Sequence, residues 1–304
     1  DSVKYWAEEY HIDGFRFDLV GLIDIQTIRE VMAAVRADHP NVIFYGEGWS
    51  MNTTLTKPGY SLTVQGNSHL VPGFAFFSDT LRDQLRGSVF DNTLPGYISG
   101  AHVSKADLEA SFMGMPHWAA EPAQCVNYVS CHDNNTFLDR ITLACPGRSL
   151  TDRIRMYKLG AVFYLMAQGV PFMQAGEEIL RTKPAKKGRF DHNSYRSPDR
   201  INSLKWEDLE KPEYQTTLEY YRGLIAFRKA HPALRMTSAE DVNGHIENLT
   251  GLDFNVTGFR ILPGANGEEN EFVMIFNPRS ETTTVSLPEG KWDIFVNGEK
   301  AGLE

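Results

Sequence analysis

Cysteine is scarce. Cys125, Cys131 and Cys145 are the only three in 304 residues, and they fall within one short stretch. An odd number in so long a chain excludes a disulfide framework and leaves at least one thiol unpaired. The spacing also lacks the paired short intervals of a zinc site, so buried or half-buried free thiols are expected. No apolar run reaches the length of about 18 residues that a membrane-spanning helix needs; the longest candidate, residues 159–173, is broken by Gln168, Gly169 and Pro171. Positive charge is short as well. The 30 Lys and Arg against 39 Asp and Glu leave a formal net charge of −9, which disfavours nucleic acid or an anionic membrane as partner and favours neutral or small ligands. Internal repeats and low-complexity segments are absent. The opening Asp1-Ser2-Val3-Lys4-Tyr5-Trp6 is neither a signal peptide nor a Met start and reads as the middle of a helix. Cellular location therefore stays open, the free thiols favouring the cytoplasm over secretion.

What is present is an ordinary folded composition: 42% hydrophobic and 23% charged residues rule out a disordered or collagen-like chain. The length suits one large domain plus a small one. Short apolar strands alternate with amphipathic helices, the pattern of a parallel α/β architecture. Five strands are predicted at residues 12–19, 42–49, 73–78, 125–131 and 170–175. Ile25, Ile28, Met32 and Val35 recur at helical spacing after the first, and His39-Pro40 stops that helix. Further helices are predicted from Thr151-Asp152, with Ile154, Tyr157, Ala161 and Leu165 on one face, and from about Glu213 to His231-Pro232, with Leu218, Tyr221, Leu224 and Ile225 on one face. After Met236 the texture changes to short turn-bounded strands at 258–262, 271–276, 282–287 and 292–296. Two domains follow, an α/β unit over 1–236 and an all-β unit over 237–304. The basic run at 181–189 reads as a solvated loop.

Polar residues gather at the C-terminal ends of the predicted strands, where parallel sheets place their active sites. Arg16 and Asp18 lie two apart and so share one face of their strand, with Phe15 and Phe17 on the other. An Arg beside a carboxylate keeps it ionised, as a nucleophile requires; the same pair would also serve as a structural ion pair. Glu47 sits between Gly46 and Gly48, followed by Trp49, and has no charge partner nearby in sequence. A desolvated Glu has a raised pKa and suits a general acid, though a strand-end Glu can equally be structural. His132 and Asp133, followed by Asn134 and Asn135, concentrate donors and acceptors fit to grip sugar hydroxyls. Carboxylates at three strand ends, with aromatics nearby, suggest glycosyl transfer or hydrolysis.

Three segments, Gly14-Phe15-Arg16-Phe17-Asp18, Tyr45-Gly46-Glu47-Gly48-Trp49 and Tyr128-Val129-Ser130-Cys131-His132-Asp133-Asn134, resemble in order and spacing three of the signature regions of the α-amylase superfamily. Gly176-Glu177-Glu178-Ile179-Leu180-Arg181-Thr182-Lys183 and the stretch from Asn193 to Asn202 resemble type I pullulanases in particular.

That resemblance implies strands four to eight of a (β/α)8 barrel followed by a small antiparallel β-sandwich. It implies a retaining hydrolase of α-1,6 branch linkages in pullulan, limit dextrin or glycogen-type glucans; an α-1,4-acting amylase or amylopullulanase, and a non-catalytic glucan-binding fragment, are the alternatives. Asp18 matches the nucleophile, Glu47 the general acid/base and Asp133 the third carboxylate, which grips the sugar. Arg16 and His132 match residues that hold the nucleophile and sugar, and Trp49, Asn193, Tyr195 and Asp199 fall where substrate contacts are expected. No redox or organic cofactor is implied, and some members hold a structural Ca2+ for which no site is assigned here. The family's first signature region and its Tyr-Asn-Trp-Gly-Tyr motif are absent, so a complementary N-terminal segment carrying strands one to three is expected as a partner, along with truncation of the β domain.

Overall fold

The computed structural model describes residues 1–51 and 59–303. Five parallel strands, β1 Gly14–Phe17, β2 Ile43–Gly46, β3 Phe74–Phe77, β4 Cys125–Asn127 and β5 Val170–Pro171, pair in chain order β1-β2-β3-β4-β5. Nine helices accompany the strands among the described residues. They are α1 Ser2–Tyr10, α2 Ile25–Arg36, α3 Asp79–Arg86, α4 Lys105–Phe112, α5 Phe137–Ala144, α6 Leu150–Met166, α7 Asp199–Asn202, α8 Pro212–Ala230 and α9 Ala239–His245. A second sheet, order β6-β7-β8, is antiparallel: β6 Ile246–Asn248, β7 Thr257–Ile261 and β8 Phe272–Phe276. Among the described residues no helix is long and apolar enough to cross a membrane.

Side-chain alternation divides the parallel sheet into two faces. On one face Phe15, Phe17, Phe44, Phe74 and Phe76 pack with Ala7 of α1 and with Ile25, Ile28, Met32 and Val35 of α2. Those four α2 residues are the periodic set read from the sequence, and all are buried. The helix starts where Asp24 accepts the Thr27 backbone N–H at 2.9 Å, satisfying one of its orphan donors. On the opposite face Ala75, Phe77, Val126 and Tyr128 form a smaller cluster with Tyr45, Trp49 and Phe172. Arg16, between Phe15 and Phe17, is thereby turned to this second face, its guanidinium 5.6 Å from the centre of the Phe77 ring.

The strands are shorter than expected at their C-terminal ends. The fifth spans only Val170 and Pro171, paired with Val126 and Asn127 of β4, and the Phe172 N–H still donates to the Asn127 carbonyl at 2.8 Å just beyond it. The all-β region departs further. Residues 282–287 and 292–296 form no strand ladder; only a bridge between Val296 and Ala301 is left, and the expected sandwich is a single three-stranded sheet among the described residues. Helix α9 and strand β6 were not expected there. On α8 the buried face is Thr217, Tyr220, Tyr221, Leu224 and Phe227, while Ile225 is exposed.

Packing runs across residue 236. Phe112 of α4 stacks face to face on Phe259 of β7 with ring centres 3.8 Å apart, Phe163 of α6 lies 4.7 Å from Phe276 of β8, and the Tyr97 hydroxyl donates to the Phe276 carbonyl at 2.8 Å. The antiparallel sheet is thus the lid of a core whose floor is α4 and α6. Phe259→Ala is expected to cost about 3–5 kcal/mol and to lower the unfolding midpoint of the helices and the sheet together. Denaturant unfolding followed by far-UV and near-UV circular dichroism checks this, and a separate early transition confined to the sheet would contradict a shared core.

Candidate active site

Arg16, Asp18 and Glu47 meet at the C-terminal ends of β1 and β2. Parallel pairing sets Arg16 opposite Tyr45 and Phe17 opposite Gly46, which carries Glu47 alongside the end of β1. One Arg16 nitrogen donates to Asp18 Oδ1 at 2.7 Å and the other to Glu47 Oε1 at 2.8 Å. The second Glu47 oxygen accepts the Leu19 backbone N–H at 3.0 Å. Leu19 adopts left-handed backbone (φ 48°), a conformation rare for a branched residue and typical of constrained functional turns. Glu47 is thus the carboxylate that sequence spacing left without a partner, and its partner comes from the neighbouring strand.

The two carboxylates live in different surroundings. Asp18 is 68% exposed, whereas Glu47 is 8% exposed at its side chain. Burial pushes the Glu47 carboxyl above the ordinary range, outweighing the opposing pull of the Leu19 N–H and of Arg16, and the nearby Asp18 adds to the rise. The glycines flanking Glu47 serve the protein's own packing: a side-chain carbon at Gly46 would strike the Phe17 carbonyl, and one at Gly48 the Phe76 ring. Trp49 is half-buried, with the Arg82 guanidinium 5.8 Å from its ring.

His132 and Asp133 lie beyond the end of β4, both more than half exposed, with His132 Nε2 3.6 Å from Asp133 Oδ2. They share the C-terminal edge of the sheet with Glu47 but make no hydrogen bond or ion pair with Arg16, Asp18 or Glu47. Asn193 and Tyr195 stand exposed in the connection between β5 and α8, and Asp199, also exposed, opens α7 within it. That connection is shaped by Asp191, which accepts from the Asn193 N–H and the Ser197 hydroxyl, and by Asn202, whose amide donates to the Ser194 and Ser197 carbonyls. The structure does not bring these three residues into contact with the carboxylates. A recess of about 280 Å3 lined by Ala7, His11, Asp13, His39 and Val42 opens at the opposite, N-terminal end of the strands. Among the described residues no group of three His, Cys, Asp or Glu side chains is gathered as a metal site.

Two residues of the basic and acidic stretch after β5 were not singled out as functional. Glu177 is buried, with Ser130 Oγ at 2.8 Å, Tyr164 Oη at 2.7 Å and Tyr221 Oη at 2.9 Å all donating to its carboxylate. Lys183, read as part of a solvated run, is buried and donates to the His132 carbonyl at 3.1 Å. Position at a strand end could have flagged Glu177; no spacing rule finds partners on α6 and α8.

Residues 242–300 match the family described as the pullulanase all-beta domain. The chain is 38% identical to the pullulanase of Bacillus subtilis strain 168, over 95% of its own length and 40% of that protein. It superposes with a TM-score of 0.92 on the pullulanase of Bacillus acidopullulyticus, at 33% identity, covering 100% of this chain and 36% of that one. A crystal structure of the Paenibacillus barengoltzii pullulanase in complex with maltohexaose and alpha-cyclodextrin gives a TM-score of 0.88 at 36% identity, covering 94% of this chain and 44% of that one. The chain thus spans less than half the length of these relatives.

Because Arg16 is the nearest cation to Glu47, Arg16→Met is expected to raise the Glu47 pKa further. Carbon-13 NMR titration of labelled glutamate, with Glu47→Gln identifying the resonance, measures it; a downward movement would show that Arg16 does not set this carboxyl.

Proposed function

The chain belongs to the pullulanase family of glycoside hydrolases, and we propose that it carries the reacting carboxylates of an enzyme that cleaves α-1,6 linkages in branched α-glucans with retention. The observation behind this reading is the single guanidinium shared by Asp18 and Glu47. Two carboxyl groups that reach one Arg are close together, as direct attack requires; a retaining pair stands about 5–5.5 Å apart, an inverting pair about 6.5–9.5 Å.

The chemistry then divides according to surroundings. Arg16 occupies Asp18 Oδ1 and leaves Oδ2 free to attack the anomeric carbon. Glu47, whose burial favours the protonated form, gives its proton to the departing oxygen as the glycosidic bond breaks; a protonated Oε2 can still accept the Leu19 N–H while doing so. In the second step the Glu47 carboxylate takes a proton from water, the water oxygen bonds to the anomeric carbon, and Asp18 leaves. Asp133 accepts hydrogen bonds from sugar hydroxyls of the reacting residue, strengthening them as positive charge builds on the ring, with His132 beside it. Trp49, Asn193, Tyr195 and Asp199 line the approach. The relatives' maltooligosaccharide complexes support a glucan as the ligand.

In the same reading β1 to β5 are strands four to eight of a (β/α)8 barrel. The outer edges of β1 and β5 have no partner strand among the described residues, and unpaired apolar edges recruit strands; a complementary N-terminal segment carrying three strands would pair with them.

Asp18→Asn and Glu47→Gln, made in the full-length protein, are expected to lower kcat on pullulan by about 10^3-fold or more with little change in thermal midpoint. Product analysis on pullulan separates linkage specificity: maltotriose supports α-1,6 cleavage, panose or isopanose α-1,4. Parental turnover in Asp18→Asn would remove the nucleophile assignment. Residues 1–304 produced alone are expected to aggregate and to be inactive, gaining activity when co-expressed with the upstream segment; soluble, active chain on its own would refute the need for that segment.

A further inference from the structure

The segment after β5 grips the loop after β4 at three points. Ser130 Oγ donates to Glu177 Oε2, Lys183 Nζ donates to the His132 carbonyl, and Asp139, at the start of α5, accepts the Lys183 backbone N–H at 2.8 Å and the Thr182 hydroxyl. Ser130, Asp139, Glu177 and Lys183 are all buried. Ser130 and Asp139 flank the exposed His132-Asp133 pair in sequence, and Glu177 and Lys183 hold them from the segment after β5, so an otherwise solvent-facing loop is anchored from beneath.

The anchors are themselves fixed. The Glu177 carboxylate also receives the Tyr164 hydroxyl from α6 and the Tyr221 hydroxyl from α8, and the Tyr157 hydroxyl donates to the Glu177 backbone carbonyl at 2.6 Å. Burying a carboxylate and an ammonium is costly unless each finds polar partners, and burial pushes the Glu177 carboxyl up to about 7 and draws the Lys183 amine down. A network that costs this much, ending on Ser130 and on the His132 carbonyl, fits a device that holds loop geometry to within a fraction of an ångström.

We propose that Glu177 and Lys183 are positioning residues, acting through Ser130 and the His132 backbone to fix where Asp133 stands relative to the sugar. This rests on the reading of Asp133 as the sugar-gripping carboxylate. Neither residue touches substrate. Their contribution is to spare Asp133 a search for its place, and a misplacement of about 1 Å can cost on the order of 100-fold in rate.

The test uses the full-length protein with pullulan. Ser130→Ala removes one hydroxyl and leaves Glu177 both tyrosines, so the chain keeps its fold; Lys183→Met removes the second anchor. Each is expected to lower kcat about 10- to 100-fold with KM changed less than about twofold. In an Asp133→Asn background each is expected to cost little more, because residues acting through one group are non-additive. Equal losses in both backgrounds, or parental kcat in both variants while Asp133→Asn is crippled, would overturn the positioning role and leave the function of Asp133 standing. Parental kcat in Asp133→Asn would overturn both.

Discussion

A guanidinium held between two carboxylates on neighbouring strands is the contact on which the candidate site depends. It exists only because the parallel register of β1 and β2 sets Arg16 opposite Tyr45 and because Phe15 and Phe17 are claimed by the α1 and α2 side of the sheet. A slip of one residue would exchange the faces of β1, driving Arg16 into the layer of Phe44 and Phe74. The aromatic packing behind the sheet is therefore what orients the charge in front of it. It also explains why a nearly buried Glu47 is tolerated: two donors meet its two oxygens, and the remaining cost shows as a raised pKa.

Buried arginines carry a comparable load away from the site. Arg228 donates to the carbonyls of Leu165, Ala167 and Gly169 where α6 ends, and Arg140 to those of Asn92, Asp91 and Leu94 in the loop between α3 and α4. Carbonyls at helix ends and in loops lack partners of their own, and a planar fork of five donors can serve several at once. The connections of this fold are thus pinned by side chains instead of by additional strands.

Much of this was legible in the sequence. The five parallel strands announce themselves as apolar runs, and α2 as the period of Ile25, Ile28, Met32 and Val35. Arg16 and Asp18 declare a shared face by their spacing, and Glu47 by its place after a strand. What was not legible depends on partners distant in the chain. The alternation over 282–287 marks residues that could pleat, but a ladder needs a neighbour, and none pairs there. Ile246–Asn248 is too short and polar to stand out until β7 is beside it. Lys183 reads as one more solvated cation until the His132 carbonyl is seen above it, and Glu177 gives no hint of the tyrosines on α6 and α8.

The family profile begins at residue 242, yet the aromatic stack joining Phe112 to Phe259 and Phe163 to Phe276 runs straight across that line. A boundary drawn from sequence similarity marks what relatives have inherited together, whereas a boundary in the physical sense is a surface that can be wetted. Here the two do not coincide. Exchanging the C-terminal sheet among relatives, as one would a detachable module, means exchanging the matching faces of α4 and α6 with it. The graftable unit is the sheet together with the helices it covers.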